Sequence, residues 1–391
     1  MKGSVVYNSR GKHVIMTGMP DRSPTRPIYA QVIDFIKDPR PGAFETLALE
    51  VFQYQFENVP AYREFCLSKG ATPASVREFQ AIPIASTLAF KYACISNEAD
   101  SDSASPLTFR TSGTTKGFTA RGMHRVPYPQ VYRASAIAHL LRMLFPDNSR
   151  MPILALHPTA DRMRESSLSW MLSWCIEEFG SESSLCVANQ QAVDIPAAAA
   201  FLKEIERSEV PACILGTTAS FARLFDYLAP NPLVLPRGSR LMDTGGAKGQ
   251  ATPLTAAEVI AHAGRLMAVE PSMVINEYGM TELCSQLYDA TPFNCAIADD
   301  SAVMRMKLPP PWLRPLALDP VTLQPVPDGQ AGMLAFFDLA NVGSISALMT
   351  EDFGFIRDGA VGVIGRAAAS DPRGCALAIE QFARFTDEPR S

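Results

Sequence analysis

The alternation of short apolar runs with segments of helical spacing, over residues 150–230, most restricts the folds open to this chain. Residues 152–157 and 212–216 are apolar runs bounded by chain breakers, which is typical of strands buried in a parallel sheet. Residues 195–208 and 220–228 repeat apolar side chains at helical spacing. Strands that alternate with helices predict an α/β fold with a largely parallel sheet.

Other segments extend this pattern. Residues 41–70 predict two helices that are broken at Pro60, and residues 128–144 predict another helix. Residues 107–110 predict a short strand. Residues 304–326 contain three consecutive prolines and predict a rigid surface connection.

Composition excludes several classes of protein. The chain has 391 residues, enough for two or more packed subdomains, and its net charge of −5 argues against a nucleic-acid partner. The N-terminal residues lack an apolar core of signal-peptide length, and no run reaches the roughly 18–20 apolar residues of a membrane helix. We therefore expect a soluble, cytoplasmic protein without a membrane partner. The eight cysteines have no metal-ligand spacing, so most should be core residues.

The segment 108–119 reads Thr-Phe-Arg-Thr-Ser-Gly-Thr-Thr-Lys-Gly-Phe-Thr and is rich in groups that bind anions. Hydroxyl groups, a lysine and glycines that let the backbone fold closely occur together at Thr111, Ser112, Gly113, Thr114, Thr115, Lys116 and Gly117. Backbone N–H groups that converge on an oxyanion hold phosphate, so a nucleoside triphosphate is the expected ligand. The spacing is not that of a Walker A loop, and a Ser/Thr-rich surface turn is the alternative.

Three further motifs follow this loop. Residues 276–282 read Asn-Glu-Tyr-Gly-Met-Thr-Glu, residues 349–354 read Met-Thr-Glu-Asp-Phe-Gly, and Gly365 precedes Arg366. In this order the motifs resemble the adenylate-forming superfamily of acyl-, aryl- and aminoacyl-AMP synthetases. The resemblance implies an α/β adenylate-forming synthetase fold, with a large N-terminal part of layered, mostly parallel sheets and helices and a truncated C-terminal lobe. It also implies ATP and Mg²⁺ as cofactors.

The resemblance assigns roles to the motif at 276–282. Tyr278 offers a ring to stack on adenine, next to Gly279. Thr281 offers a hydroxyl to a phosphate. Glu282 supplies a hard oxygen ligand for a Mg²⁺ ion shared with the phosphates. An ordinary loop with a solvated glutamate is the alternative.

Two other segments complete the implied ATP site. Asp352 would accept hydrogen bonds from both ribose hydroxyls, and Arg366 could reach the same ribose or a phosphate. The segment 241–249 reads Leu-Met-Asp-Thr-Gly-Gly-Ala-Lys-Gly, and the family places it beside the adenine and the acyl group. Its implied contacts are Gly245, Gly246 and Ala247, with a tight turn of no ligand role as the alternative.

Within the superfamily, residues from about 58 to 380 are most similar to the acyl-protein synthetases, whose best-known members work in the fatty-acid reductase of luminous bacteria. Phenylacetate–CoA ligases are related. Near the C-terminus the chain reads Arg-Gly-Cys-Ala-Leu-Ala-Ile-Glu, and the family has an acyl-accepting cysteine after Arg-Gly. The resemblance therefore implies that Cys375 is acylated and that Cys375, Lys116 and Glu282 are the catalytic residues.

The same resemblance implies a division into domains. Residues 1–363 would form the N-terminal domain, with subdomains of about 1–215 and 216–363. Residues 364–391 would form a short C-terminal lobe that carries Cys375.

Three departures from the superfamily pattern are visible. Lys116 stands where the family usually has a second glycine, so the phosphate contacts of the loop differ in detail. Three alanines follow Arg366 in place of the usual hinge aspartate, so domain rotation is expected to be reduced. The chain ends at Ser391 without the long C-terminal domain of CoA ligases, as acyl-protein synthetases also do.

Together these features predict an ATP- and Mg²⁺-dependent enzyme that converts a carboxylic acid into acyl-AMP and transfers the acyl group to a thiol. The predicted acceptor is Cys375, followed by a reductase, acyltransferase or carrier-protein partner. Direct transfer to coenzyme A or to a carrier-protein thiol is one alternative. A nucleotide- or acyl-binding module that has lost catalysis is the alternative from another class.

Overall fold

The computed structural model describes most of the chain. The described residues are 4–7, 13–16, 27–92, 95–97, 106–111, 121–245, 254–295 and 305–366. The helices within them are α1 Pro27–Lys37, α2 Ala43–Asn58, α3 Pro60–Ser68, α4 Ala89–Tyr92, α5 Pro129–Met143, α6 Ser167–Phe179, α7 Ile195–Ser208, α8 Thr218–Leu228 and α9 Ala256–Met267. The predicted helix break at Pro60 is confirmed, and each helix predicted from residue 128 onward is present within two residues of its predicted ends.

The strands of the described residues are mostly short. They are β1 Ser4–Tyr7, β2 His13–Met16, β3 Ala85–Ser86, β4 Leu107–Arg110, β5 Met123–Val126, β6 Ile153–Ala155, β7 Leu185–Cys186, β8 Cys213–Thr217, β9 Arg240–Thr244, β10 Val274–Tyr278, β11 Leu287–Asp289, β12 Lys307–Leu308, β13 Leu313–Leu318, β14 Ala331–Asp338, β15 Ala347–Arg357 and β16 Ala360–Arg366. Strands β1 and β2 pair with each other in an antiparallel hairpin.

The chain divides into two compact units, each built from segments that are distant in sequence. The first unit consists mainly of His139–Gly279 and Tyr288–Arg305. The second consists of Ser23–Ala138, Met280–Leu287 and Met306–Ser391. The polypeptide therefore passes repeatedly from one unit to the other, and the predicted division into sequential domains stays a prediction.

The first unit contains the predicted parallel sheet, in the strand order β10-β9-β8-β6-β7. Each of the central strands is a run of buried residues, as the continuous apolar sequence predicts. Helices α7, α8 and α9 bury their apolar faces in one core cluster with these strands. The N-terminus of α7 is capped by Asp194, whose carboxylate accepts from the backbone N–H of Ala197 at 3.0 Å.

An arginine is held inside this unit by a partly exposed aspartate. Only 2% of the Arg240 side chain is exposed, and its guanidinium donates to both carboxylate oxygens of Asp147 at 3.0 and 2.7 Å. It also donates to the carbonyl of Leu144 at 2.8 Å. Arg240 begins β9, so this bidentate ion pair fixes the start of the strand whose other end carries the predicted glycine segment.

The second unit is built around an antiparallel sheet, in the order β13-β14-β15-β16, with the short strand β3 parallel to β15. Strands β4 and β5 form a separate antiparallel hairpin. The side chain of Gln55 on α2 is fully buried, and it donates to the carbonyl of Asn341 at 3.0 Å. The same side chain accepts from the hydroxyl of Ser346 at 3.0 Å, so α2 is tied to the connection between β14 and β15.

The prediction of a surface connection at residues 304–326 is wrong for the centre of that segment. Trp312 is fully buried, and its indole N–H donates to the hydroxyls of Ser135 and Ser285 at 2.8 and 3.1 Å. Strand β13 follows directly and pairs with β14. Pro315 lies inside β13, which is possible because β13 is the last strand of this sheet in the described residues, and an edge strand can lose a backbone donor.

Most cysteines lie in the core, as predicted. Cys66, Cys175, Cys186, Cys213 and Cys284 are buried, whereas Cys295 is partly exposed. Within the described residues, no helix is long and apolar enough to cross a membrane.

Candidate functional site

The described residues contain only part of the predicted site. Eight of its residues lie within them, namely Thr111, Gly245, Tyr278, Gly279, Thr281, Glu282, Asp352 and Arg366, which is the last residue described. The predicted residues outside the described ranges are Ser112, Gly113, Thr114, Thr115, Lys116, Gly117, Gly246, Ala247 and Cys375. The roles predicted for all of these residues stay predictions.

The two ends of the predicted nucleotide loop are joined to each other. The loop connects β4 to β5, and the backbone N–H of Thr111 donates to the carbonyl of Gly122 at 2.9 Å. In return, the N–H of Gly122 donates to the hydroxyl of Thr111 at 2.8 Å, and Arg121 donates to the Thr111 carbonyl at 2.7 Å. The β4–β5 hairpin is therefore closed by main-chain and side-chain hydrogen bonds at the two residues that flank the loop sequence.

A lysine that the sequence analysis did not assign lies at this closure. A Cβ atom placed on Gly122 would lie 3.4 Å from Cγ of Lys91 and 3.1 Å from Cγ2 of Thr111. The aliphatic part of Lys91 thus packs beside the closed end of the loop. Lys91 is partly exposed at the end of α4.

In the first unit, the ends of β9 and β10 carry the predicted glycine segment and the start of the motif at 276–282. These strands are parallel, with Glu277 paired to Thr244 in register. The hydroxyl of Thr244 donates to the carboxylate of Glu277, which is buried with 4% of its surface exposed. Gly245 follows β9 directly, and Tyr278 and Gly279 follow Glu277.

Other buried polar groups fix the same strand ends. The N–H of Asn276 donates to the carboxylate of Asp289 at 3.1 Å, and the amide of Asn276 donates to the carbonyl of Asp243 at 3.3 Å. The hydroxyl of Thr218 donates to the carboxylate of Asp243 at 2.8 Å. These carboxylates therefore serve as acceptors for internal donors in the fold of this unit.

In the second unit, the backbone on both sides of Glu282 is held by side chains. The ring Nδ1 of His124 lies 2.8 Å from the carbonyl oxygen of Thr281. The amide nitrogen of Asn341 donates to the carbonyl of Glu282 at 2.7 Å and to that of Ile345 at 3.1 Å. Two consecutive carbonyls are thus bonded to two buried side chains, 1% of each being exposed.

The carboxyl of Glu282 lies among charged groups of the same unit. Glu282 is half-buried, and burial is the largest cause that raises the pKa of its carboxyl to about 7. The negative charge of Glu351 also raises this pKa, while the positive charges of Lys91 and Arg366 lower it. A site that disfavours the charge of a carboxylate in this way is suited to a carboxylate that is neutralised by a bound cation.

A second buried carboxylate supports the residues that follow Glu282. Asp338 is fully buried, and it accepts from the N–H of Cys284 at 3.0 Å and from the hydroxyl of Ser285 at 2.6 Å. It also accepts from the N–H of Ala340 at 3.0 Å. Burial raises the pKa of Asp338 to about 6, although these donors oppose the shift.

Asp352 and Arg366 lie opposite each other on neighbouring strands. They are register partners in β15 and β16, with Nε of Arg366 at 3.9 Å from the Asp352 carboxylate. The Asp352 side chain is 17% exposed and that of Arg366 is 68% exposed. The register shifts at Phe353 and Gly354, directly after Asp352, which is the signature of a β-bulge. The structure thus brings together an acceptor carboxylate and a guanidinium that has most of its surface available.

The described residues contain no group of three or more histidine, cysteine, aspartate or glutamate side chains that could hold a metal ion. A Mg²⁺ ion usually takes one or two protein carboxylates and completes its shell with water and substrate phosphates. Glu282 fits that requirement, because it is a single half-buried carboxyl with Glu351 among its charged neighbours. The donor set therefore suits a metal ion brought in with a nucleotide.

Sequence reasoning missed His124 and Lys91. Neither belongs to a recognisable motif, and both reach Thr281 or Glu282 only through contacts that are distant in sequence. The available signal for His124 was its position in the sequence, since it lies two residues after Gly122, where the loop closes. Lys91 lies on α4, the last helix of the described residues before the loop.

Comparison with known sequences gives a consistent result. The family described as "Acyl-protein synthetase, LuxE" matches residues 28–384. The long-chain-fatty-acid–luciferin-component ligase of Vibrio harveyi is 23% identical over 348 residues, which is 84% of this chain and 85% of the relative. The ligase of the same name from Aliivibrio fischeri is 21% identical over 368 residues, which is 88% of this chain and 92% of the relative.

Comparison with solved structures shows the fold. The open conformation of 2-hydroxyisobutyryl-CoA ligase, in complex with 2-HIB-AMP and CoA, has a TM-score of 0.59 and 14% identity, covering 82% of this chain and 69% of that one. The same ligase in the thioesterification state has a TM-score of 0.60 and 14% identity, covering 93% and 76%. The predicted adenylate-forming α/β fold is therefore confirmed.

Proposed function

This chain belongs to the acyl-protein synthetase (LuxE) family, and on that premise we propose that it loads a long-chain fatty acid onto its own Cys375 for delivery to a protein partner. As a member of the family it is an ATP-dependent ligase. It activates a carboxylic acid as acyl-AMP and transfers the acyl group to a thiol, and it works with a protein partner. To this family activity the proposal adds the identity of the acid, the thiol that accepts the acyl group, the metal ion and the residues that bind or react with them. The names of both curated relatives support the choice of a long-chain fatty acid.

In the first step, a carboxylate oxygen of the acid attacks the α-phosphorus of ATP. The bond from that phosphorus to the bridging oxygen breaks, and pyrophosphate leaves with the electron pair. Bound Mg²⁺ would neutralise charge on the phosphates during this displacement. Glu282 would hold the ion, and the half-buried setting that raises its pKa to about 7 supports this role.

The nucleotide would be oriented by groups of the second unit. Asp352 accepts hydrogen bonds from the ribose hydroxyls, and Arg366 binds the same ribose or the α-phosphate from the neighbouring strand. Their separation of 3.9 Å and the large exposed fraction of Arg366 support this arrangement. Thr111, Lys116 and the rest of the loop bind the terminal phosphates. The predicted stacking of adenine on Tyr278, a residue of the first unit, stays a prediction.

In the second step, the Cys375 thiolate attacks the carbonyl carbon of acyl-AMP. A carbon–sulfur bond forms, the carbon–oxygen bond to phosphate breaks, and AMP leaves. Arg373 favours the thiolate, which is the nucleophilic form of cysteine. The thioester keeps the acyl group activated for a reductase, an acyltransferase or a carrier protein.

The observation that carries the proposal is the position of Glu282. Its backbone is bonded on both sides by His124 and Asn341, and its carboxyl lies among Lys91, Glu351 and Arg366. A solvated surface glutamate needs none of these contacts. A family motif that is held by buried side chains, next to charges suited to phosphate chemistry, fits an adenylation site.

The first test is acid-dependent exchange of pyrophosphate into ATP, with fatty, aryl and amino acids as substrates. Long-chain fatty acids should support exchange best, and exchange should require Mg²⁺. No exchange with any acid would favour a binding module that has lost catalysis. Preference for an aryl or amino acid would overturn the proposed substrate.

The second test is the intact mass of the protein after incubation with ATP, Mg²⁺ and a fatty acid. The mass should increase by one acyl group, and neutral hydroxylamine should remove it. Cys375→Ser should remain unmodified. Cys295→Ser is the control, because Cys295 is the partly exposed cysteine among the described residues, and this variant should still be acylated. Exchange without any gain in mass would show that the acceptor is an external thiol such as coenzyme A.

A further inference from the structure

We infer that His124 is a positioning residue for adenylation, which holds the turn that carries Glu282 in its active conformation. The inference rests on the proposed role of Glu282 and adds a residue to it. His124 lies on β5, two residues after Gly122 closes the nucleotide loop. It thereby connects the strand that leaves the loop with the Thr281–Glu282 backbone.

The geometry of the ring defines its tautomer. Nδ1 lies 2.8 Å from the carbonyl oxygen of Thr281, which can only accept, so Nδ1 carries the hydrogen and donates. Nε2 lies 3.0 Å from the hydroxyl of Ser344. Burial lowers the pKa of His124 to about 4, so the ring is neutral at pH 7 and Nε2 accepts from Ser344. Both ring nitrogens are therefore used.

The ring is also fixed by its apolar surroundings. His124 is 1% exposed, and its ring makes edge-on contacts with Phe90 at 5.2 Å and with Phe109 at 6.4 Å between centroids. Phe109 lies on β4, the strand that enters the loop, and Phe90 precedes Lys91. From the strand that follows the loop, the imidazole thus contacts two elements that precede the loop while it binds the Thr281 carbonyl.

The next carbonyl in the chain is held independently. Asn341 donates to the carbonyl of Glu282 at 2.7 Å, so the peptide groups before and after the glutamate side chain are both fixed. Neither His124 nor Asn341 bonds the carboxyl of Glu282 itself. A group that must contact a metal–phosphate complex is most effective when its backbone is fixed in advance, because displacement by about 1 Å can cost about 100-fold in rate.

The test compares four variants by pyrophosphate exchange with the best acid substrate, with each rate normalised to the active fraction measured as the burst of acyl-AMP. His124→Phe keeps the ring volume but removes both hydrogen bonds, and we expect kcat to fall by about 10- to 100-fold. The Mg²⁺ concentration for half-maximal rate should rise, while KM for the acid should change little. A role in folding alone would change the active fraction and the melting temperature but not the Mg²⁺ dependence.

Two conservative variants separate the two hydrogen bonds. The amide nitrogen of His124→Asn can occupy the place of Nδ1 and donate to Thr281, so this variant should recover most of the rate. His124→Gln places its amide near the position of Nε2 and should not recover it. Ser344→Ala removes only the bond to Nε2, and its effect should be about threefold or less.

The outcomes are distinct. The positioning role would be overturned if His124→Phe had the normalised rate and Mg²⁺ dependence of the wild type. Equal rates for the Asn and Gln variants would also overturn it. If His124→Phe does not fold, the comparison of the Asn and Gln variants still decides. If the wild type itself gives no acyl-AMP, the proposed function fails and the role of His124 fails with it.

Discussion

The seven-residue motif at 276–282 is held in two different ways in its two halves. Asn276 to Gly279 belong to the first unit, where β10 pairs in parallel with β9 and the Glu277 carboxylate accepts from Thr244. Thr281 and Glu282 belong to the second unit, where His124 and Asn341 bind two successive carbonyls. In the first half, the carboxylate of Glu277 makes the internal hydrogen bond. In the second half, the internal hydrogen bonds from His124 and Asn341 go to backbone carbonyls.

This difference separates two glutamates that look alike in the sequence. Glu277 is buried and its carboxylate accepts a hydrogen bond inside its own unit. Glu282 is half-buried, and its carboxyl lies among charged side chains. The comparison teaches that buried side-chain contacts mark Glu277 as a structural carboxylate, whereas a fixed backbone with a carboxyl among charges supports the role proposed for Glu282.

The largest expected effect is on catalysis. Glu282→Gln and Asp352→Ala should each lower adenylate formation by about 100-fold or more, because metal and ribose contacts hold the reacting phosphate in line. Glu277→Gln is the matched control and should lower the free energy of unfolding while it costs much less in rate. Pyrophosphate exchange and thermal unfolding, measured on all three variants, check this.

The comparison would break if Glu277→Gln lost as much exchange as Glu282→Gln. It would also break if Glu282→Gln and Asp352→Ala kept nearly normal exchange. In either case the two halves of the motif would not divide into a structural part and a functional part.

A smaller effect is expected on stability, with opposite dependence on pH in the two units. In the second unit, the pKa of Asp338 is raised to about 6, above its ordinary value of 3.8, so the folded protein keeps a proton that the unfolded chain releases. Its contribution to stability is full below pH 3.8 and is lost as the pH rises through 6. We expect a loss of about 3 kcal/mol over that window.

In the first unit, Asp147 should behave in the opposite way. The bond to Arg240 lowers the pKa of Asp147 to about 2, from 3.8, so its contribution is present above pH 3.8 and is lost as the pH falls through 2. Urea unfolding of Asp338→Asn and Asp147→Asn from pH 2 to pH 8 tests both. Asp338→Asn should lose the slope between pH 4 and 6, and Asp147→Asn should lose the slope below pH 4. A slope of the same sign at both sites would contradict the assignment.

The smallest of these effects concerns the loop of the second unit. Lys116→Ala should raise KM for ATP by about 10-fold and leave kcat nearly unchanged, because a phosphate contact made equally in the ground and transition states changes binding alone. Lys91→Ala is the comparison, since Lys91 packs at the closed base of the same loop. An unchanged KM in Lys116→Ala would make Lys116 a solvated residue.

Local patterns predicted the elements of the first unit well. Its strands are continuous buried runs and its helices have clear apolar faces, so their periodicity is visible within ten or fifteen residues. The antiparallel strands of the second unit were less visible. Strand β13 follows three prolines and contains a fourth, and its burial depends on β14, which starts thirteen residues after β13 ends. Because proline was treated as a breaker of secondary structure, the sequence analysis placed the segment that contains β13 at the surface.

The site was predicted as far as motifs reach. Thr281, Glu282 and Asp352 were assigned because they stand in recognisable strings, and their roles stay predictions, while family membership supports the reaction. His124 was not found, because its partner Thr281 lies 157 residues away. Nothing in the string Met-His-Arg-Val distinguishes a histidine that binds a remote carbonyl from one that only packs.

The interleaving of the two units has a consequence for synthesis on the ribosome. The parallel strands β6 to β10 all precede residue 280, so the first unit can form its sheet while the rest of the chain is still being made. Helix α2 is made much earlier, yet the partners of its buried Gln55 lie 286 to 291 residues later in the chain. Gln55 on α2 must therefore wait for its partners until the connection between β14 and β15 emerges. Nascent chains that stop near residue 305 should accordingly leave α2 accessible to chaperones.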